Sequence, residues 1–281
     1  MLRYGLICTI IVMSVLGCGC QNIPVDVFEH SKEAVKKDDP SIIPIVVNGA
    51  VIGGYRNGTW LDPEAVYSKI TDRQYKIYSF DEALGKGAGT IPESREKQAV
   101  YAIDMTGVDK DEDYTALACS WDAMPRIAKE KSILGQKSTS AMRNILRDNG
   151  ISRNTPIKIK QILVADMEGD GTDETIVLAE NISPLTSVLS NNSYSFLVVR
   201  KEMDEETLSI IVHKETAPDD PEQSESMAVT YSVKSVLDLN GDGKLEILVH
   251  SQYYDGEGYQ IYGINGNQAK LLLESANVGS L

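Results

Sequence analysis

From Ser41 onward the chain alternates short runs of β-branched, aliphatic and tyrosine residues with clusters of Gly, Asn, Asp and Pro. "YKIYS", "AVYAIDM", "TALACSW", "KIKQILVA", "TIVLAE", "YSFLVVR", "LSIIVHK", "YSVKSVLDL", "LEILVH" and the segment around "YQIYGINGNQAKLLLES" each have strand length and β-forming composition. Asn48-Gly49, Asn57-Gly58 and Asn265-Gly266 each sit between β-formers. Asn-Gly accepts positive φ at both central positions of a two-residue turn, so these pairs predict tight hairpins. Two stretches carry helical signals. "DPEAVYSKI" opens on Asp-Pro, and "STSAMRNILRDNG" has a serine cap, helical spacing and a closing Gly150. "GKGAGTIPESREKQ" and "ETAPDDPEQSESM" read as connecting loops; the first lacks the Lys-Ser/Thr ending of a phosphate-cradling loop. The pattern predicts a mainly β protein built from antiparallel hairpins with one or two short helices. Thirteen Tyr against three Phe suits strands that are half exposed.

The N-terminus departs from this texture. Arg3 precedes an apolar run from Tyr4 to Leu16, of signal-peptide length and too short for a confident membrane span. The run ends in Val15-Leu16-Gly17-Cys18, which resembles the lipobox of bacterial lipoproteins. That resemblance implies cleavage before Cys18 and lipidation of its thiol. Residues 1–17 are then a signal peptide and 18–40 a lipidated cysteine with a polar tether. The protein would be extracytoplasmic and held at a bacterial membrane by its acyl chains, since two chains suffice for stable anchoring. An uncleaved anchor, or an ordinary secretory signal with Cys18 incidental, are the alternatives. The formal net charge of −14 repels phosphates and excludes nucleic acid as a partner. It also disfavours docking on anionic lipid, so membrane association would run through the anchor. Of four cysteines, Cys8 leaves with the signal, Cys20 lies in the tether and Cys119 reads as a buried apolar residue, so no disulfide framework is expected.

The ordered remainder divides into a β-rich part, 41–150, and a part, 151–281, that contains two acidic loops. "DMEGDGTDETIV" starts at Asp166 and "DLNGDGKLEILV" starts 72 residues later at Asp238. Positions one, three and five are Asp166, Glu168 and Asp170 in the first loop and Asp238, Asn240 and Asp242 in the second. Position six is glycine in both, and position nine is Glu174 or Glu246. Alternating oxygen-bearing side chains turn inward when the backbone wraps around a point, and the glycine permits the wrap. Position seven, Thr172 or Lys244, adds a backbone carbonyl. Such an oxygen cage suits Ca²⁺, and the absence of a thiol or imidazole cluster disfavours zinc and copper. Unneutralised, two carboxylates about 4 Å apart repel by about 1 kcal/mol even in full water screening.

An EF-hand would place a helix after the loop and an acid at position twelve; here position twelve is Val177 or Val249 within a strand-like run. The loops instead resemble the FG-GAP/VCBS repeats of integrin-α-like β-propellers over roughly residues 157 to 275, although the Phe-Gly and Gly-Ala-Pro signatures are missing. What the resemblance implies is a calcium-braced β-blade, without a particular ligand. Two repeats do not fill a seven-bladed ring, so an irregular or partial propeller-like domain is expected. A third acidic stretch, "DKDEDYT", has Tyr114 where the glycine belongs and reads as a turn.

No Gly-x-Ser-x-Gly, His-Glu-x-x-His or Cys-His constellation is present, and no catalytic residue is assigned. Trp60, Trp121, Arg126, Tyr253 and Tyr254 fall near predicted turns, where aromatic and guanidinium groups stack on glycans or anchor proteins; the competing role for the two tryptophans is core filling. The functional expectation is a non-enzymatic, monomeric, lipid-anchored binding module for an unknown protein or glycan. The alternative is a lipid-anchored hydrolase, which requires an Asp/Glu pair lining a deep cleft apart from the two loops.

Overall fold

The computed structural model describes residues 38–92, 101–109, 111–183, 189, 191–203, 206–217, 228–254 and 256–276. The signal segment, Cys18, Cys20 and nearly all of the tether lie outside the described residues, as do parts of the two stretches read as loops. The described residues all lie within one compact unit.

The first sheet has seven strands. In chain order these are β1 (Ile43–Val47), β2 (Ala50–Arg56), β3 (Thr59–Leu61), β4 (Arg73–Tyr78) and β5 (Ala83–Thr90), then β6 (Asp104–Met105) and β7 (Thr115–Leu117). Helix α1 (Pro63–Tyr67) is capped by the Asp62 carboxylate, which accepts from the Ala65 N–H at 2.7 Å. The sheet order is β3-β2-β1-β7-β4-β5-β6, all antiparallel. Asn48-Gly49 and Asn57-Gly58 close the first two hairpins with positive φ at all four residues.

Next come β8 (Lys129–Glu130), α2 (Gln136–Asp148) and two four-stranded meanders. The first is β9 (Ile159–Ala165), β10 (Glu174–Glu180), β11 (Tyr194–Met203) and β12 (Glu206–Thr216), with β8 added at the β9 edge. The second is β13 (Thr230–Leu237), β14 (Glu246–Gln252), β15 (Glu257–Asn265) and β16 (Gln268–Ala276). Both are antiparallel, with neighbours in chain order. Each acidic loop connects the first and second strand of its meander, and position nine is the first residue of the second strand in both.

The second meander is the middle layer. Val233, Ile247 and Val249 share a core with Leu163, Ile176 and Leu178 of the first meander, while Leu237, Leu248 and Ile261 share another with Ile45, Ile52 and Leu117 of the seven-stranded sheet. The outer faces are covered by α1 on one side and by α2, through Met142 and Leu146, on the other. Burial on both faces explains the unbroken apolar run "LEILV", and corrects the expectation of half-exposed strands for this layer. The meanders are also stitched by polar groups. Gln161 exchanges two hydrogen bonds with the backbone of Val233, and the buried Glu180 accepts from the Tyr231 N–H, Ser195 and Lys160.

Four expectations shift. The glycine-rich start of the first stretch read as a loop, residues 85–90, belongs to strand β5, whose glycines permit close packing: a Cβ on Gly87 would lie 1.9 Å from the Thr106 carbonyl oxygen. Of the described part of "AVYAIDM", only Asp104–Met105 is strand, with one further bridge from Ala102 to Ala50. The last hairpin turns on Gly266 and Asn267, since Asn265 pairs with Gln268, so its glycine takes the first central position. Helix α2 begins earlier than the serine cap predicts, behind Gly135 and without a side-chain cap, while Gly150 closes it at φ +86°.

Candidate functional site: two acidic loops on one scaffold

The two loops share most of their hydrogen-bonded frame, the exception being the position-five N–H, which donates to Asp166 in the first and to Asn240 in the second. Asp166 accepts from the Gly169 N–H (2.7 Å) and the Gly171 N–H (3.0 Å); Asp238 accepts from Gly241 (2.6 Å) and Gly243 (3.0 Å). Asp170 accepts from the Thr172 N–H and Asp242 from the Lys244 N–H, both at 2.8 Å. Glu174 accepts from the Met167 N–H at 2.9 Å, and Glu246 from the Leu239 N–H at 2.8 Å. The glycines at positions four and six all have φ between 76° and 87°, the left-handed region that side chains disfavour. The loops also touch, because the Leu245 N–H donates to the Met167 carbonyl at 2.8 Å.

One segment serves both loops. In the second, the Trp121 indole N–H donates to the Asp238 carbonyl at 2.9 Å, and its ring lies where a Cβ on Gly241 would meet it at 3.1 Å. In the first, Arg126 Nε donates to the Asp166 carbonyl at 2.5 Å, and its Nη1 lies 3.1 Å from a Cβ built on Gly169. Arg126 Nη2 also reaches the Gly243 carbonyl at 2.7 Å, tying one loop to the other. Trp121 and Arg126, candidates for a ligand face, thus hold the acidic loops. Trp60 packs edge-on against Tyr55 and Tyr253 packs against the core between the meanders, while Tyr254 is 73% exposed.

The loops differ in charge. In the first, the Lys201 ammonium bonds Glu168 and stands 3.9 Å from Glu174, and Arg126 Nε is 3.9 Å from an Asp166 carboxylate oxygen. In the second, no ion pair is found among the described residues for Asp238, Asp242 or Glu246. The Asn240 amide nitrogen sits between two acids, 3.3 Å from Asp242 Oδ2 and 2.9 Å from Glu246 Oε1. Asp238 and Glu246 are 4% and 3% exposed. Burial, with Asp242 and Asp238 adding repulsion, pushes the Glu246 carboxyl up to about 8. Burial also raises Asp238. Glu174 is raised by burial as well, and there Lys201 works in the opposite direction.

Among the described residues no three acidic, histidine or cysteine side chains converge on a single point. Asn240 and Lys201 take positions at which the carboxylates would otherwise face one another. The donor set of the second loop still fits a hard cation: Asp238, Asn240, Asp242 and Glu246 supply oxygens, and Lys244 adds a carbonyl. Each carboxylate oxygen bonded to one N–H retains a second lone-pair direction.

Away from the loops, a cavity of about 840 Å³ lies between the β1–β2 turn, β6, the 108–114 segment and β15. Asp104, Asp111, Glu112, Asp113 and Glu257 line it, with Tyr114 and Tyr259. Asp113 pairs with Lys234 and Asn48, and Glu257 with His250. Burial pushes Asp113 up, but the bonds from Lys234 and Asn48 outweigh it, so its carboxyl sits below the ordinary range. Asp111, Glu112 and Asp113 belong to the stretch "DKDEDYT" that reads in sequence as an acidic turn, and it is the approach of Asp104 on β6 and Glu257 on β15 that makes a cavity wall of it. Comparison with protein-family models, with curated proteins and with solved structures finds no match to this chain.

Proposed function

We propose that the chain is a lipid-anchored, extracytoplasmic β module that binds a protein or glycan, and that a calcium ion braces its second acidic loop. The observation that carries the calcium reading is the buried pair Asp238 and Glu246 with the exposed Asp242 beside them, held by backbone N–H groups and one amide and, among the described residues, in no ion pair. A divalent ion would turn mutual repulsion into shared attraction, with Asp238, Asn240, Asp242, Glu246 and the Lys244 carbonyl as ligands. In this reading the ion is structural: it fixes the β13–β14 connection and, through Arg126 and Leu245, the neighbouring loop. The repeated strand-loop-strand units support a propeller-like relationship between the meanders. The lipobox-like segment supports the anchor, and among the described residues no helix is long and apolar enough to cross a membrane. Free calcium tenfold above its dissociation constant adds about 1.4 kcal/mol per site. Thermal melts in calcium and in chelator should therefore separate, and Asp238→Ala with Asp242→Ala should erase the difference. Identical wild-type melts would reject the reading.

A hydrolase has one observation in its favour, the carboxylate-lined cavity apart from the loops. A general acid at neutral pH requires a raised carboxyl. Asp113 is instead lowered and engaged by Lys234, which suits a wall that receives a cationic group. Turnover of glycoside or ester substrates that Asp104→Asn abolishes without altering the melt would establish the enzyme.

A further inference from the structure

We propose that Lys201 is the resident cation of the first loop, so that its tethered ammonium does there what a divalent ion does in the second, and the protein takes up one calcium ion rather than two. The inference rests on the calcium reading of the second loop for its stoichiometry, but the role of Lys201 stands on the geometry of the first. Continuing the β10–β11 register one step past Thr175↔Arg200 brings Glu174 opposite Lys201. The lysine side chain, 12% exposed, then points back over the loop to Glu168 (17% exposed) and Glu174 (2%). The same step in the second meander, past Ile247↔Tyr262, brings Glu246 opposite Gly263. That position carries no side chain, so nothing on β15 can deliver a charge to the second loop.

The two loops therefore share most of their hydrogen-bonded frame, their glycines and the position-nine glutamate, and differ at the residue facing that glutamate. An ammonium is a compact charge on a flexible stem and fits between carboxylates without an ordered coordination shell. A site whose two glutamates already share an ammonium gains less from a second cation, because a divalent ion would have to displace the lysine and leave it buried beside positive charge. Glu168, longer than the Asn240 that stands at the same position in the second loop, has the reach that meets the lysine. Arg126 adds a further positive group beside Asp166, where the second loop has the neutral indole of Trp121.

The test is calorimetry and melting of the full chain in detergent, with calcium chloride as titrant. Wild type should take one ion, Asp238→Ala with Asp242→Ala none, and Lys201→Met two. In chelator Lys201→Met should melt below wild type and recover when calcium is added. Gly263→Lys, whose Cβ meets only the flexible tip of Leu272, should lose calcium binding at least tenfold. A wild type that takes two ions, or a Lys201→Met protein that still takes one, overturns the inference while leaving the second loop as a calcium site. If neither wild type nor Lys201→Met takes calcium, the calcium reading falls and a double-mutant cycle of Lys201→Met with Glu168→Gln in chelator decides the lysine. Coupled losses uphold the ammonium as counter-ion, and additive losses overturn it. Should Lys201→Met alone fail to fold, folding of the pair that removes both charges upholds the role, and equal failure overturns it.

Discussion

The first and second acidic loops are close to a controlled comparison. Their hydrogen-bonded frames share four bonds, position one on two glycine N–H groups, position five on the N–H of position seven and position nine on the N–H of position two, and differ at the position-five N–H, which donates to Asp166 in one loop and to Asn240 in the other. Their electrostatics differ more. Arg126 reaches a carbonyl of each, but only the first loop has it beside a carboxylate and has Lys201 against its glutamates, while the second has Trp121 on its first aspartate and bare backbone at Gly263. A loop motif thus fixes backbone shape locally. Whether it needs an ion is set by residues on neighbouring elements, tens of positions away. The largest expected effect that sharpens this contrast is steric. Alanine at Gly169 or Gly241 must hold φ near +76° or +80°, a cost of about 1–2 kcal/mol in either loop. At Gly241 the new Cβ also meets the rigid indole of Trp121, whereas at Gly169 it meets the movable end of Arg126. Gly241→Ala should therefore lose about 2–3 kcal/mol in urea melts against about 1–2 kcal/mol for Gly169→Ala, the difference being an overpacking cost of about 1 kcal/mol. Equal losses would mean that Trp121 yields as easily as arginine.

How much of this could be read from the chain follows the same division. The loops, their six-position glycines and their strand flanks are local, so alternation and turn chemistry located them, and both Glu174 and Glu246 open strands where position nine was placed. Trp121 and Arg126 were visible as unusual residues, but their work on two loops depends on a segment lying across both meanders. Lys201 carried no signal of its own. It ends an apolar strand-like run, and the connection between β10 and β11, residues 181–193, is too long to count register across to Glu174. The layer order was equally hidden: "LEILV" reads as a strand from either face, and only the packing of Leu248 and Ile261 on Ile45 and Ile52 shows that the second meander is covered twice. Gly87 and Gly89 misled because glycine in sequence signals freedom, while here it signals the close approach of Thr106 and Tyr75.

The seam between the meanders offers a second way to test whether they act as one body. His213 on β12 lies 4.3 Å ring to ring from Tyr231 of β13, and its Nδ1 is 3.3 Å from the Tyr262 hydroxyl of β15. Its Nε2 is buried without a partner, and burial lowers its pKa from 6.5 to about 4. A depressed histidine stays neutral in the folded protein while the unfolded chain takes up a proton. Its contribution is therefore whole above pH 6.5 and is lost as the pH falls from 6.5 to 4, on the order of 2 kcal/mol. Urea melts at pH 7 and pH 4.5 should show a steeper acid loss in wild type than in His213→Gln. Parallel losses would place the acid sensitivity elsewhere and free the seam from the role.

The smallest effect is the most diagnostic of charge, because it separates the loops with an isosteric change. Glutamine at position nine keeps an oxygen for the position-two N–H and removes the carboxylate charge. In the second loop that charge is buried near Asp238 and Asp242 with no cation, so in chelator Glu246→Gln should stabilise the protein by about 1 kcal/mol. In calcium the sign should reverse, since the variant loses a ligand. In the first loop Lys201 already offsets Glu174, so Glu174→Gln should change the melt little in chelator and respond no further to calcium. The comparison breaks if both variants shift alike under both conditions, for then the lysine and the glycine that face these glutamates would be electrostatically equivalent. It is strengthened by a sign reversal confined to Glu246, an outcome that needs an exchangeable cation at one loop and a covalently tethered one at the other.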